Sequence, residues 1–287
     1  MAVDLHIHTD ASDGSLSPET VVKKAKDMDY DSIAITDHDT VNGLEEAIKI
    51  GDKVNLEVIP GIEFNTKLDG YEVHILGYLI DYKNNDLLKE SRKIKKSRVK
   101  RVKEIIKKLN DIGFDISAKE VFDLSDGGSV GRSHVARILK NKGYVQSFSE
   151  AFDKYLAVDK IAYVNRYRLT TKEAIDLIEK ANGIPVLAHP GLINNDDLLD
   201  KIVNLGIKGI EAYYYEHNSS ETKKYVEYAK NNNLLLTAGS DDHGPGNKDG
   251  MRLGEMKFDY KLVSELKSYH NSHFNAPRQE SKYLCRN

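Results

Sequence analysis

The sequence predicts an α/β fold: a mixed sheet curling toward an irregular barrel, interrupted by a helical insertion. Three observations point there. Seven short apolar runs have strand length, and most are followed by a helical pattern, which argues for parallel strands joined by crossovers. One connection, at Asp69-Gly70, is too short for a helix and reads as a hairpin, so one pair must be antiparallel. Finally, a long stretch between the fourth and fifth runs carries helical periodicity and no strand signal.

In order, the predicted strands run from Ala2 to Ile7, Ser32 to Thr36, Leu56 to Glu63, Tyr71 to Ile80, Ile184 to Ala188, Ile207 to Tyr213 and Leu234 to Ala238. In the first, alternation sends Leu5 and Ile7 to one face and His6 and His8 to the other. Ser17-Pro18-Glu19 opens a helix, with a capping serine, proline at the first helical position and an acid at the positive dipole end. Thr170-Thr171-Lys172-Glu173 is a capping box, and its helix stops at Gly183. Asn218 and Ser219 precede another helix. Within the insertion, a long helix ends near Gly113, with an apolar stripe of Ile94, Val102, Ile105, Ile106 and Leu109. Shorter helices follow near Ala118 to Leu124, Arg132 to Lys140 and Phe148 to Leu156. The expected organisation is a discontinuous barrel (1–83 and 167–270), a helical insertion domain (84–166) and a polar C-terminal tail (271–287).

Composition excludes several classes. The chain has 287 residues, 40% of them hydrophobic and 30% charged, as in globular proteins. A net charge of −3 excludes a nucleic-acid-binding polycation, although patches can still be basic. No apolar run reaches the ~18 residues of a membrane span, and the N-terminus lacks the pattern of a secretory signal. The only cysteine, Cys285, cannot form an intrachain disulfide, which suits a cytoplasmic location. No membrane association and no stable protein partner are expected.

The chemistry gathers where strands end. His6 and His8 end the first, Asp37-His38-Asp39 the second and Glu63 the third; the fourth carries His74. His189 ends the fifth, Glu211, Glu216 and His217 lie at or just past the sixth, and Ser240-Asp241-Asp242-His243 the seventh. In a parallel barrel such ends converge on one rim, where active sites sit. Six of the ten histidines, His6, His8, His38, His74, His189 and His243, lie within or just past these strand ends, the pattern of a metal site and not of scattered structural histidines. Imidazoles with carboxylates and no thiolate suit Zn, Mn or Fe. The donors exceed what one tetrahedral ion needs, so two or three divalent ions are expected, with a carboxylate such as Glu63 shared between two. Close-spaced cations acidify a water and clamp a phosphoryl group.

The runs DLHIHTDASDGSLSP, AITDHDT, PGIEF, EVHILGY, VLAHPG and GSDDHG occur in the order and wording of the PHP (polymerase and histidinol phosphatase) superfamily, and the chain most resembles its TrpH-like branch. The resemblance implies a distorted seven-stranded β/α barrel of PHP type with a trinuclear metal site. It places His6, His8, Glu63 and Asp241 on one ion, Glu63, His74 and His189 on a second, and Asp13, His38 and His243 on a third. Histidinol phosphatases of the superfamily often have histidine at the Asp13 position, so aspartate favours the TrpH-like branch.

Substrate residues are expected in the insertion. Gly131 to Leu139, GRSHVARIL, places Arg132 and His134 at a helix N-terminus, with Arg137 a turn further on. TrpH-like proteins carry a similar stretch, implied to reach over the barrel mouth to substrate phosphate; Ser133 stands here in place of their proline. His217 and the tyrosines Tyr213 to Tyr215 are further candidates. From Lys83 to Lys108, twelve Lys or Arg stand against three Asp or Glu, a face able to attract a polyanion.

The reading is a metal-dependent phosphoesterase with Asp241 and His243 as its catalytic pair, relaying a proton. The branch implies two substrates: the 3′-phosphate of nucleoside 3′,5′-bisphosphates, and short 5′-phosphorylated oligoribonucleotides trimmed from the 5′ end. The alternatives are a histidinol-phosphatase-like phosphomonoesterase, an amidohydrolase and a non-catalytic nucleotide-sensing module. Amidohydrolase barrels also open with His-x-His but commonly bridge their metals through a carbamylated lysine; here the bridging position is Glu63.

Overall fold

A computed structural model describes residues 1–124, 129–245 and 250–274. The first half of the barrel is β1 (Ala2–Ile7), α1 (Pro18–Asp27), β2 (Tyr30–Ile35), α2 (Leu44–Val54), β3 (Glu57–Leu68) and β4 (Tyr71–Tyr78). The insertion follows as α3 (Asn85–Asp111), α4 (Ala118–Asp123), α5 (Arg132–Asn141) and α6 (Phe148–Ala151), the last continued by a π-helical turn over Phe152–Leu156. The chain then returns through α7 (Thr171–Lys180), β5 (Ile184–Leu187), α8 (Asp197–Leu205), β6 (Gly209–Tyr214), α9 (Ser219–Asn231), β7 (Leu235–Gly239), β8 (Phe258–Asp259) and α10 (Lys261–His273).

The sheet has eight strands in the order β7-β6-β5-β4-β3-β2-β1-β8. β4 runs antiparallel to both β3 and β5, and the remaining pairs among β1 to β7 are parallel. The barrel closes where β1 meets β7: Ile7 bridges Asp242, and the His8 amide donates to Asp242 O over 2.9 Å. The eighth strand, two residues antiparallel to the start of β1, was not anticipated; neither was α10, which makes residues 271–273 helical and not tail. Residues 275–287 of the expected tail, Cys285 among them, lie outside the described residues.

The capping signals act as read. Thr20 N donates to Ser17 Oγ, and Thr170 with Glu173 forms a reciprocal box. Asp69 (φ 49°) and Gly70 (φ 93°) both occupy the left-handed region, which a two-residue hairpin of matching twist demands. That hairpin carries β3 past its expected end at Glu63 as far as Leu68, because each added residue gains a ladder partner on β4. Glu63 is therefore mid-strand, with the hairpin arm rising beyond the rim.

Alternation on β1 is broken. Leu5 packs with Leu76, Tyr78 and Val186 inside the barrel, beneath Val263 and Leu266 of α10, while Ile7 packs in the layer under the outer helices. The β1–β2 register shifts between Asp4 and Ile7, and a bulge of this kind re-aims side chains. Residues 99–164 form a separate apolar cluster around Val102, Ile105, Leu109, Val135 and Leu139. The first half of α3 instead sends Leu87 and Ile94 into the main core, so this helix joins the two. Among the described residues, no helix is long and apolar enough to cross a membrane.

Candidate metal centre

Glu63 stands at the centre of the barrel mouth, fully buried. Its Oε2 lies 3.3 Å from His6 Nε2, 3.2 Å from His8 Nε2 and 3.0 Å from His38 Nδ1. Its Oε1 lies 2.8 Å from His74 Nδ1 and 3.1 Å from His189 Nε2. One carboxylate thus faces five imidazoles from three strand ends and the hairpin arm. Asp241 Oδ1 adds contacts of 3.3 Å to His6 Nε2 and 3.0 Å to His8 Nε2. At the rim, Asp13 lies 3.5 Å from His243 Nε2, 3.9 Å from His38 Nε2 and 3.9 Å from His8 Nδ1.

These atoms approach as metal ligands do. Glu63 Oε2, Asp241 Oδ1, His8 Nδ1, His38 Nδ1 and His189 Nδ1 are buried without a hydrogen-bond partner, although several lie near 3 Å from another polar atom. Apart from His189, which meets Glu63 through Nε2, they belong to residues whose donor atoms converge. His6 Nε2, His8 Nε2, Glu63 Oε2 and Asp241 Oδ1 approach one another at 3.0 to 3.3 Å. A tetrahedral ion with metal–nitrogen bonds of ~2.0 Å sets its ligands ~3.3 Å apart. The donor set fits such an ion.

Three groups of donors converge: His6, His8, Glu63 and Asp241; His38, Glu63 and His74; and His8, Asp13, His38 and His243. The first is the expected set. The second brings His38 to Glu63 and His74, with His189 on the same Glu63 oxygen as His74. In the third, His8 joins the expected members.

Local structure explains how these side chains are held. Asp37 Oδ1 accepts from Thr9 N (2.8 Å) and Ser12 Oγ (2.5 Å), and its Oδ2 accepts from Thr9 Oγ1 (2.7 Å); this fixes the loop that carries Asp13. Tyr214 Oη donates to Asp241 Oδ2 over 3.2 Å, leaving Oδ1 facing the cluster. His6 Nδ1 donates to Glu211 Oε1 over 3.0 Å, which turns Nε2 inward, and Glu211 Oε2 accepts from His189 N over 2.8 Å. A buried carboxylate behind a ligand histidine orients it and raises its basicity. Glu211 is a supporting residue that the sequence reading noted without giving it a role. Asp39 (φ 58°), His189 (φ 25°) and Asp241 (φ 54°) adopt left-handed backbone, a concentration of strain usual at functional sites.

Of the expected substrate residues, Tyr214 reaches the cluster through its bond to Asp241, and His134 approaches it from the insertion, close enough for the charges of Asp13 and Arg98 to act on it. Arg132 instead turns into the helical insertion, donating to Leu156 O over 3.0 Å beneath Phe152. Arg137 is exposed. His217 is corrected: Nδ1 donates to Ala212 O (3.0 Å) and Nε2 accepts from Gly191 N (3.1 Å), so both nitrogens staple the turn after His189 to β6 and neither is free for a ligand. The sequence reading missed Arg98, whose Nη2 lies 2.5 Å from Asp39 Oδ2. Both line a recess beside His38, together with Ala11, Thr40, Ile94, Lys95 and Ser129.

Electrostatics make metal uptake proton-coupled. Burial disfavours charge on His8, but the carboxylates of Asp241 and Glu63, 3.0 and 3.2 Å away, outweigh it and push the imidazole up to about 10. Burial likewise opposes His74, and Glu63 wins, pushing it up to about 9. Burial raises Glu63, yet His38, His74 and His6 hold it well below the usual carboxylate range. In the metal-free chain His8 and His74 therefore stay protonated until the pH passes 9 to 10. Metal must displace those protons, so affinity is expected to climb with pH through that window. Because both folded pKa values are raised, their contribution to metal-free stability is complete below the unfolded value of 6.5 and is lost as pH rises through 9 to 10. His6 is held well above its ordinary value as well, so titration calorimetry with Mn in buffers of different ionisation enthalpy is expected to find more than two protons released at pH 7.

Comparison with known proteins adds independent weight. Residues 4–164 match the PHP domain family. The chain is 34% identical over 261 residues to the 5′-3′ exoribonuclease Rnm of Salmonella typhimurium, covering 84% of this chain and 85% of that one. It is 29% identical over 257 residues to a 3′,5′-nucleoside bisphosphate phosphatase of Chromobacterium violaceum, covering 85% and 88%. A crystal structure described as a metal-dependent phosphoesterase from Bifidobacterium adolescentis superposes with a TM-score of 0.82 at 28% identity, over 93% of this chain and 95% of that one.

Proposed function

The chain belongs to the PHP domain family and is a metal-dependent phosphoric ester hydrolase, and on that premise we propose that its substrate is a phosphorylated nucleotide or short oligoribonucleotide. The reaction is removal of the 3′-phosphate of a nucleoside 3′,5′-bisphosphate, or release of nucleotides from the 5′ end of a 5′-phosphorylated oligoribonucleotide. The observation that carries this reading is Glu63, one carboxylate meeting five imidazoles at the barrel mouth.

His6, His8, Glu63 and Asp241 would hold one divalent ion; Glu63 and His74, with His189 or His38, a second; and Asp13, His38 and His243, with His8, a third. Two or three ions of Mn, Zn or Fe suit this mixture of nitrogen and oxygen donors. Bound there, they acidify a water and offset charge on the phosphoryl oxygens. The protein's part is positional. Glu211 holds His6 with its Nε2 inward, Tyr214 holds Asp241, and Asp37 holds the Asp13 loop. Of the proposed catalytic pair, Asp241 lies deeper and faces the cluster through Oδ1, whereas the His243 side chain is 25% exposed, so a proton leaving the pocket passes to solvent from His243. The insertion at 84–166 is proposed as a domain that brings His134 and Arg98 to the substrate's edge. Nucleotide and RNA chemistry also accounts for the proposed cytoplasmic location.

The test is release of phosphate from adenosine 3′,5′-bisphosphate, and of mononucleotide from a 5′-phosphorylated oligoribonucleotide, with added Mn. At least one is expected to turn over, and an Asp241→Ala, His243→Ala double variant is expected to lose ~10³-fold or more. Unchanged activity in that variant would refute the assignment.

A further inference from the structure

Glu72 stands on the hairpin arm, two residues before His74, and alternation along β4 puts both side chains on one face. Its side chain is 51% exposed, yet both oxygens are engaged. Oε1 accepts from Asn65 Nδ2 and lies 3.5 Å from His74 Nε2. Oε2 accepts from Arg168 Nη2 over 3.3 Å. The backbone around Arg168 is pinned on both sides. Tyr167 N donates to Ser97 Oγ of α3 over 3.2 Å, and Thr170 bridges Lys67 of β3. The segment returning from the helical insertion thus meets, in Glu72, a carboxylate that stands directly behind a metal-centre histidine.

The two nitrogens of His74 give that contact a purpose. Nδ1 lies 2.8 Å from Glu63 Oε1, on the side where donors converge. An ion bound at Nδ1 needs its lone pair, so the ring proton must sit on Nε2 and be donated outward. Asn65 Nδ2, 2.7 Å from Nε2, is itself a donor and cannot receive it. Turning the amide over would offer Oδ1, which is buried without a partner, but would also set that oxygen against Glu72 Oε1. Among the contacts of Nε2, that leaves Glu72 Oε1 as the acceptor. A carboxylate behind a ligand histidine fixes its orientation and raises its basicity. Glu211 serves His6 in that way.

We propose that Glu72 is a positioning residue for the second ion, the one shared by Glu63 and His74. Arg168 holds Glu72 in place, so the returning segment of the insertion sets how tightly that ion is bound. The inference rests on the metal centre proposed above and adds a residue that ligates nothing itself.

Calorimetric titration of the metal-stripped full chain with Mn ranks the bound ions without turnover. Glu72→Ala is expected to weaken one class of Mn site by ~10- to 100-fold and to leave the rest unchanged. Arg168→Met is expected to weaken the same class by less. Glu72→Gln, which keeps one acceptor oxygen, should fall between Glu72→Ala and the unaltered protein. Because the ion is weakened and not lost, phosphoester turnover by Glu72→Ala should drop at limiting Mn and recover at saturating Mn, with KM unchanged. A merely structural role would not produce that recovery. The metal-free melting temperature is expected to move by no more than ~3 °C, as for other half-exposed ion pairs. Equal Mn affinity in all four proteins overturns the proposal. So does a loss of turnover that saturating Mn does not restore, which would make Glu72 a substrate contact. If Glu72→Ala weakens one class of Mn site but the unaltered protein hydrolyses no phosphoester, the hydrolytic reading falls and the positioning role stands.

Discussion

Glu63→Gln is expected to lower phosphoesterase turnover by ~10³-fold or more and to strip the protein of at least one equivalent of metal. The size follows from position. Both Glu63 oxygens lie within 3.3 Å of imidazole nitrogens, three on Oε2 and two on Oε1. Glutamine preserves shape but presents one oxygen and an NH₂ that cannot accept, so whichever side receives the NH₂ loses its anionic donor. The imidazoles change too. Glu63 is among the groups that raise His6, His8 and His74, so without it their ordinary values become easier to reach. The metal-free variant should therefore bind its residual metal with fewer protons released. Elemental analysis gives the metal count and steady-state kinetics the rate. Full metal content with kcat within tenfold of the unaltered protein would remove Glu63 from the centre.

What was legible in the sequence was what local patterning writes. Alternation and apolar runs marked seven strands, and Asp69-Gly70 marked the antiparallel pair because that turn needs left-handed backbone at both residues. Eight ionisable residues could be singled out because they lie in or at the ends of strands that share one rim, and Asp13 through the family resemblance; these side chains do meet there. Contacts set by tertiary closure were not legible. The bulge in β1, the two-residue β8 and the growth of β3 to Leu68 depend on which strand lies alongside, and nothing in their own windows encodes that. Glu211 carries no motif; it matters because β6 lies where His6 can reach it. His217 drew notice as a histidine just past a strand, yet Ala212 O and Gly191 N claim both its nitrogens. Arg98 was hidden in a run of basic residues, and only the placement of α3 against Asp39 sets it apart from its solvated neighbours.

The closure between β1 and β7 yields the second large effect, at a residue that ligates nothing. Gly239 ends β7, one residue before Ser240, and a Cβ there would lie 2.2 Å from His6 Cβ, 2.8 Å from His6 N and 2.8 Å from Glu211 Oε1. Two of those three atoms belong to β1 and the third to the carboxylate that orients His6, so no flexible side-chain end can give way. The glycine is required by close approach and not by left-handed backbone, since its φ is not positive. Gly239→Ala must push β1 and β7 apart, straining the Ser240 N to Asp4 Oδ1 bond (3.0 Å) and the His8 N to Asp242 O bond (2.9 Å). Overpacking of this kind costs about 3 kcal/mol, which for a chain of this size lowers the melting temperature by roughly 6–12 °C. Separating the strands also separates His6 and His8 from Asp241 and His243, and a displacement near 1 Å can reduce turnover ~10²-fold even in the folded fraction. Gly131→Ala is the control, because its Cβ would meet only Ser133 Oγ at 3.8 Å. Calorimetric melting and metal content, measured on both variants, should separate them clearly. If Gly239→Ala melts and binds metal like Gly131→Ala, the two strands do not close the barrel as tightly as His6 and Gly239 require.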